Sequence, residues 1–361
     1  MIPVLPLSLA AALAASLGSA SGSSLDRRDV IVTSDGRRLA VDEVLADALP
    51  EVRYRLQGSE RTIPASAVLR IEYRDEPPAL RQAREKRDPQ ASHRALAIAR
   101  EAKGVRPWLA EAVDFESAGV LEAWGAAEPG RTEEAAAAYR AFAETYPSSR
   151  RFPAALLGRA RCLETLLRFD DALALFDELG PRLETLGEEA GLELSFERAQ
   201  VLLAAGRAPE AREALRALEG RIARLPLGSP PSLLARVRVA EGDGLLAEGS
   251  SAEALAHYRR LLAEADGDFE LRAAARAGEG EALLGVGKVR EAMFALAEAR
   301  AIDPAGGPAT ARATYLLAEC HRRLVGREPD AERRARSYFL EVVNRHSSTP
   351  WAGRARAALG G

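Results

Sequence analysis

A short motif recurs along this chain at a nearly constant spacing, and it constrains the fold more than any other feature. Its form is Gly-x-x-x-Glu-Ala, with an apolar residue four positions after the alanine and another three beyond. Complete copies are Gly130 to Ala135 with Tyr139 and Phe142, and Gly206 to Ala211 with Leu215 and Leu218. Two more are Gly249 to Ala254 with Tyr258 and Leu261, and Gly287 to Ala292 with Leu296 and Ala299. Looser copies centre on Ala172, with Phe176 and Leu179, and on Ala335, with Phe339 and Val342. The six anchors are therefore Ala135, Ala172, Ala211, Ala254, Ala292 and Ala335, separated by 37, 39, 43, 38 and 43 residues. A period of about 20–50 residues is the mark of a stacked repeat, in which each unit buries its apolar face on the next.

Each unit reads as two helices. Twelve positions before four of the anchors stand Ala160, Ala199, Gly242 and Gly280, and three positions further on stand Leu163, Leu202, Leu245 and Leu283. Small residues at a crossing let two helix backbones approach, and the large apolar residues fill the space beside them. The motif glycine allows a tight turn between the helices. Pro147 and Pro304, twelve positions past Ala135 and Ala292, stop a helix where a unit ends. Aromatic residues are only 5% of the chain, so Ala and Leu supply most of the packing, and alanine has the highest helix propensity.

This pattern resembles the tetratricopeptide repeat (TPR), a helix–turn–helix unit with small residues at two crossing positions, a glycine turn and a closing proline. The resemblance covers residues 107–361. It implies a mainly α fold: a TPR-like solenoid of about six repeats, closed by a capping helix over Trp351 to Leu359. The period exceeds the family's ~34 residues, so longer helices or loops, such as Leu225 to Pro231 and Gly326 to Asp330, absorb the excess. The phrases Tyr146-Pro147-Ser148-Ser149 and Ser347-Ser348-Thr349-Pro350-Trp351-Ala352 resemble exported bacterial TPR proteins of the outer-membrane assembly and cell-division coordination type. In the family, residues one and four positions after the first helix's small residue face a groove. Carried over, this marks Arg161, Glu164, Gln200, Asp243 and Glu281 as candidate groove residues, and a protein or peptide as partner.

The amino-terminal third differs. Met1 to Leu17 is apolar apart from Ser8 and Ser16, and small residues follow from Gly18 to Gly22, which reads as a signal peptide over residues 1–22 with cleavage after Ala20. Its start has no Lys or Arg, a departure from the usual pattern. Export to the periplasm or beyond the cell is the expected localisation. No later run is long and apolar enough to span a bilayer, so no integral membrane segment is expected after cleavage. Residues 27–75 carry short alternating runs: Val30 and Val32, then Asp35-Gly36 as a turn, then Val52, Tyr54 and Leu56, then Leu69 to Tyr73. About five short strands are expected. The phrase Ile63-Pro64-Ala65-Ser66-Ala67-Val68 before Arg70-Ile71-Glu72-Tyr73 resembles SH3-like and Sm-like barrels, which implies a small β-barrel-like domain. Residues 76–106 are charged and proline-interrupted, either a linker or an irregular helical pair.

Chemistry is sparse. The net charge is −3 and arginine is balanced by acids throughout, which argues against nucleic acid as a partner. There is no phosphate-cradling glycine loop, no His-Glu-x-x-His and no close cysteine pair, so no catalytic, cofactor or metal residues are assigned. His93, His257, His321 and His346 are scattered, and Cys162 and Cys320 read as small core residues rather than a disulfide. The expected function is a non-enzymatic scaffold. A second reading makes the β region the recognition element and the repeats a spacer or oligomerisation arm. A third is an enzyme whose site lies in the loops.

Overall fold

The structure is a computed structural model. It describes residues 28–102, 104, 106–125, 128, 130–179, 188–225, 231–265, 267–303, 306–347 and 349–360. The expected signal peptide, Pro304 and most of the Leu225–Pro231 loop lie outside them. The chain divides into two compact units that part near residue 194.

The first unit opens with six strands: β1 (Asp29–Thr33), β2 (Arg38–Val41), β3 (Glu43–Asp47), β4 (Glu51–Leu56), β5 (Ser59–Pro64) and β6 (Val68–Glu72). They form two antiparallel three-stranded sheets, ordered β2-β1-β6 and β3-β4-β5. The expected barrel is therefore corrected to two open sheets. The chain leaves one sheet for the other at Asp42, between β2 and β3, and again through a 3-10 turn at Ala65–Ala67. Pro64 ends β5 without an N–H to give, so no ladder continues from β5 into β6.

Helices close the core that the sheets leave open. They are α1 (Pro78–Glu85), α2 (Pro89–Arg100) and α3 (Pro107–Gly125). Ile31, Val44, Val52 and Ile71 from the strands share one buried cluster with Leu80, Leu96, Leu109 and Val113 from these helices. The 76–106 stretch thus forms two helices that cover the sheets. Asp88 caps α2 by accepting from the Ala91 amide at 2.8 Å, and Pro89 occupies the first helical position, where its missing N–H costs nothing.

Two buried carboxylates fasten this region. Asp29 accepts from Arg106 at 2.7 and 2.9 Å and from the Val44 amide at 2.7 Å. Burial pushes its carboxyl up, but Arg106 and the backbone amides outweigh burial and hold it below the ordinary range. Asp47, with a fully buried side chain, accepts from Arg150 Nε at 2.6 Å, Arg151 Nη1 at 2.9 Å and the Tyr73 hydroxyl at 2.7 Å. Both arginines belong to the turn between α4 (Gly130–Thr145) and α5 (Phe152–Thr165). The Leu49 amide also donates to Ser148 O at 2.8 Å, so the sheets are docked on the first repeat.

The remaining helices are α6 (Phe169–Leu179), α7 (Glu188–Ala204), α8 (Ala208–Ile222), α9 (Pro231–Ala247), α10 (Ser251–Glu264), α11 (Phe269–Gly285), α12 (Val289–Ile302), α13 (Pro308–Arg323), α14 (Ala331–Arg345) and α15 (Pro350–Gly360). From α3 onward they run as six successive pairs, with α15 after them, the order of a TPR-like solenoid. Ala135, Ala172, Ala211, Ala254, Ala292 and Ala335 are all buried. Part of the long period lies in residues 324–330, a turn that separates α13 from α14.

Among the described residues, the turn inside the α7/α8, α9/α10 and α11/α12 pairs is a left-handed helix cap. Gly206, Gly249 and Gly287 adopt φ of +78°, +80° and +82°. The next residue donates back to the first helix, as Arg207 to Leu202, Ser250 to Leu245 and Lys288 to Leu283. The looser copy at Leu167 keeps this geometry without glycine, with φ +59° and Arg168 donating back to Leu163; Asp330 also has φ +61°, but it ends the longer 324–330 turn and Ala331 donates to Glu328. A left-handed leucine is strained by its Cβ, and Leu167 is 62% exposed, so its side chain returns little by burial. Leu167→Gly is therefore expected to raise stability by about 0.5–1 kcal/mol. Urea unfolding measures this; an unchanged or lower midpoint refutes it.

Candidate functional site

In the unit from residue 195 onward, α9, α11, α13 and α15 pack side by side, while among the described residues no second helix packs comparably on the next second helix. Neighbours that touch on one side and splay on the other make the first-helix side the inner face of this unit. Glycines set the spacing. The fully buried Tyr258 ring lies where a Cβ on Gly242 of α9 or Gly278 of α11 would come within 2.5 or 2.3 Å of it. Only a bare backbone leaves room for the ring at that crossing.

Tyr258 carries more than packing. Its hydroxyl donates to Asp243 Oδ1 at 2.7 Å. Asp243 also pairs with Arg312 at 2.7 Å, and Arg312 donates to Glu281 at 2.8 Å through Nε. Burial and the Asp243 charge push the Tyr258 phenol far above its ordinary range, so it stays a donor. Burial pulls the Arg312 guanidinium down, but the two carboxylates more than offset this and hold it charged.

The first unit repeats the arrangement. The Tyr139 hydroxyl donates to Glu122 on α3 at 2.7 Å, and Arg161 on α5 donates to the same carboxylate at 2.7 and 3.0 Å. Tyr139 also lies where a Cβ on Gly158 would come within 2.4 Å of its ring. In both units a tyrosine of the second helix holds a carboxylate of its own first helix, and an arginine from a later first helix completes the set.

The candidate groove residues are distributed as follows. Asp243 and Glu281 are brought together by Arg312. Arg161 sits in the other unit on Glu122. Glu164 is half-buried on α5, with its carbonyl accepting from the Leu167 amide at 2.9 Å. Gln200 is buried in α7. Sequence reasoning missed Arg312, Glu122 and the role of the tyrosine hydroxyls. A signal existed for the last: two of six anchor-plus-four positions hold tyrosine, and a buried phenol needs an acceptor. Arg312, isolated between Ala311 and Ala313, carries no comparable mark.

Beside the triad lies Arg354 of α15. Its guanidinium stacks on the Trp351 ring at 4.7 Å, and burial lowers its pKa. Both cysteines are buried and free, with thiols pushed up to about 12 by burial, far from the thiolate range. Among the described residues no three His, Cys, Asp or Glu side chains gather as a metal site, and no helix is long and apolar enough to cross a membrane. What the inner face offers is fixed charge and hydrogen-bonding groups in a set register.

Comparison with known proteins agrees with this geometry. The tetratricopeptide repeat family model matches residues 115–149, which span most of α3 and α4. No curated protein matches the sequence. Among solved structures, the chain is similar to a tetratricopeptide repeat protein from Parabacteroides merdae, at 15% identity and a TM-score of 0.52, covering 73% of this chain and 90% of that one. It is less similar to PlcR of Bacillus thuringiensis in its apo form, at 14% identity and a TM-score of 0.42, covering 75% and 96%. The helical part thus has the TPR fold, a fold that generally serves as a protein-interaction scaffold.

Proposed function

We propose that this protein is a non-enzymatic interaction scaffold of the cell envelope, holding a peptide or partner protein on the inner face of its repeats. The carrying observation is the first-helix layer α9, α11, α13 and α15, where Asp243, Glu281, Arg312 and Arg354 stand in fixed register. Groups held this way lose little freedom when a ligand backbone or side chain meets them. The apolar run from Met1 to Leu17 supports the envelope assignment. No cofactor, metal or nucleic acid enters the reading.

The core shared by the sheets with α1–α3 supports reading the β region as the terminal cap of the stack rather than a separate recognition module. Deleting residues through Tyr73 would strip half of that core, so point substitutions on the inner face are the cleaner test. The whole chain, crosslinked in native envelope extract, is expected to recover partners that Arg354→Glu loses by about tenfold, the scale of a single interface arginine. Glu213→Arg, on the exposed side of α8, should leave recovery unchanged. Full recovery with both Arg354→Glu and Glu281→Gln would remove the inner face as the binding surface.

A further inference from the structure

A second concavity opens on the opposite side of the same unit, where α12 and α14 stand apart over α13. Its volume is about 800 Å³, within the range of ~300–1,000 Å³ common to small-ligand sites. Met293, Phe294, Leu317, His321 and Tyr338 give it an apolar and aromatic lining. Phe294 is 76% exposed at the rim, an unusual position for a large apolar ring on a second helix. The His321 ring lies nearly parallel to the Tyr338 ring, at 5.6 Å between centroids and 12° between planes.

The charges around the pocket are already partnered. Arg290 donates to Glu328 at 3.2 Å, Arg300 to Glu341 at 2.8 Å, and Arg345 pairs with Glu341 at 3.6 Å. Asp303 accepts from the Gly307 amide at 2.7 Å and from the Thr310 hydroxyl. Three arginines and three acids leave no net formal charge to attract an ion. One polar atom stands apart: Nδ1 of His321 is buried and has no hydrogen-bond partner, although the residue is only 3% exposed. Buried polar atoms in folded proteins are nearly always satisfied, and an exception next to an open pocket marks what a ligand would supply.

We propose that this pocket binds an uncharged aromatic ring carrying one hydrogen-bonding group, of the phenol or indole class, with that group paired to Nδ1 of His321. The rings of Phe294 and Tyr338 supply offset or edge contacts for a planar ligand. A charged ligand would have to break an existing ion pair to be met. The site uses α12–α14 and is independent of the inner-face reading.

The chain has two methionines, Met1 and Met293, so a methyl-labelled methionine in the pocket reports occupancy directly by NMR. Titrating the full chain with p-cresol and with indole is expected to shift the Met293 methyl saturably. Toluene, which lacks the hydrogen-bonding group, should bind about tenfold more weakly, as should p-cresol to His321→Phe. Benzoate should not compete. Ala297→Trp, at an exposed position of the pocket wall, should abolish the saturable shift without disturbing the core. N-acetyl-tyrosinamide separates the sources: tighter binding than p-cresol indicates a ring presented on a polypeptide, and weaker binding a free small molecule. The proposal is overturned if neither p-cresol nor indole shifts the Met293 methyl, or if Ala297→Trp or His321→Phe leaves their binding unchanged.

Discussion

Asp47→Ala is expected to destabilise the amino-terminal unit by about 3–5 kcal/mol, the cost of breaking a buried ion pair from one side. The substitution leaves Arg150 and Arg151, both mostly buried, without the carboxylate that neutralises them, and removes the acceptor of the Tyr73 hydroxyl. Asp47→Asn keeps the shape and one acceptor but not the charge, and should fall between alanine and wild type. The wild-type pair also predicts an acid response. Burial pushes the Asp47 carboxyl up, yet Arg151 and Arg150 hold it below the ordinary carboxylate value. A carboxyl lowered in the folded state binds fewer protons there than in the unfolded chain. Its stabilisation is present above the unfolded pKa of about 3.9 and is lost as pH falls through the lower folded value. Denaturant unfolding between pH 7 and pH 2 should show a component of acid sensitivity that Asp47→Ala lacks. Equal stability of wild type and Asp47→Ala at pH 7 would mean that the sheets are not fastened through this carboxylate.

The docking of the sheets explains what the sequence could and could not disclose. The helical repeats were legible because their determinants are local and periodic: a small residue at each crossing, a leucine three positions on, a left-handed turn five before the anchor. Even at Leu167 and Asp330, where glycine is replaced, the surrounding register identifies the turn. The strands were legible for the same reason, through alternation in Val52 and Tyr54 and the Asp35-Gly36 turn, in which Gly36 adopts φ +82°. Barrel closure was not, because it depends on which strand edges meet. The apolar faces of Ile31, Val44 and Ile71 fit a closed barrel and a helix-covered pair of sheets equally well until Leu96 and Leu109 are placed against them. The charge networks were the least legible. Asp47 meets Arg150 and Arg151 about a hundred residues away in sequence, and Asp243 meets Arg312 from two pairs further on. An arginine in such a composition is unremarkable until its partners are known.

Arg312 carries the second large effect, and its removal separates structure from recognition on the inner face. Arg312→Leu is expected to cost about 3–5 kcal/mol in the unit from residue 195 onward, because Asp243 and Glu281 lose the guanidinium that pairs with both. The penalty belongs to the stranded charges more than to the lost bonds. The triple variant Arg312→Leu, Asp243→Asn, Glu281→Gln should therefore regain most of the loss, even though no ion pair remains within the triad. The amide oxygen that Asp243→Asn introduces can still accept from the Tyr258 hydroxyl, so the ring stays seated against Gly242 and Gly278. If the triple variant is as unstable as Arg312→Leu alone, the triad acts by specific geometry and not by charge balance. If it is restored, it provides a folded inner face stripped of the charges of the triad, with Arg354 left in place. Under the scaffold reading, that face keeps its shape but should recover less of any partner that depends on charged contacts. A partner recovered from it undiminished binds by shape and apolar contact alone, and Asp243, Glu281 and Arg312 then serve only to hold α9, α11 and α13 in register.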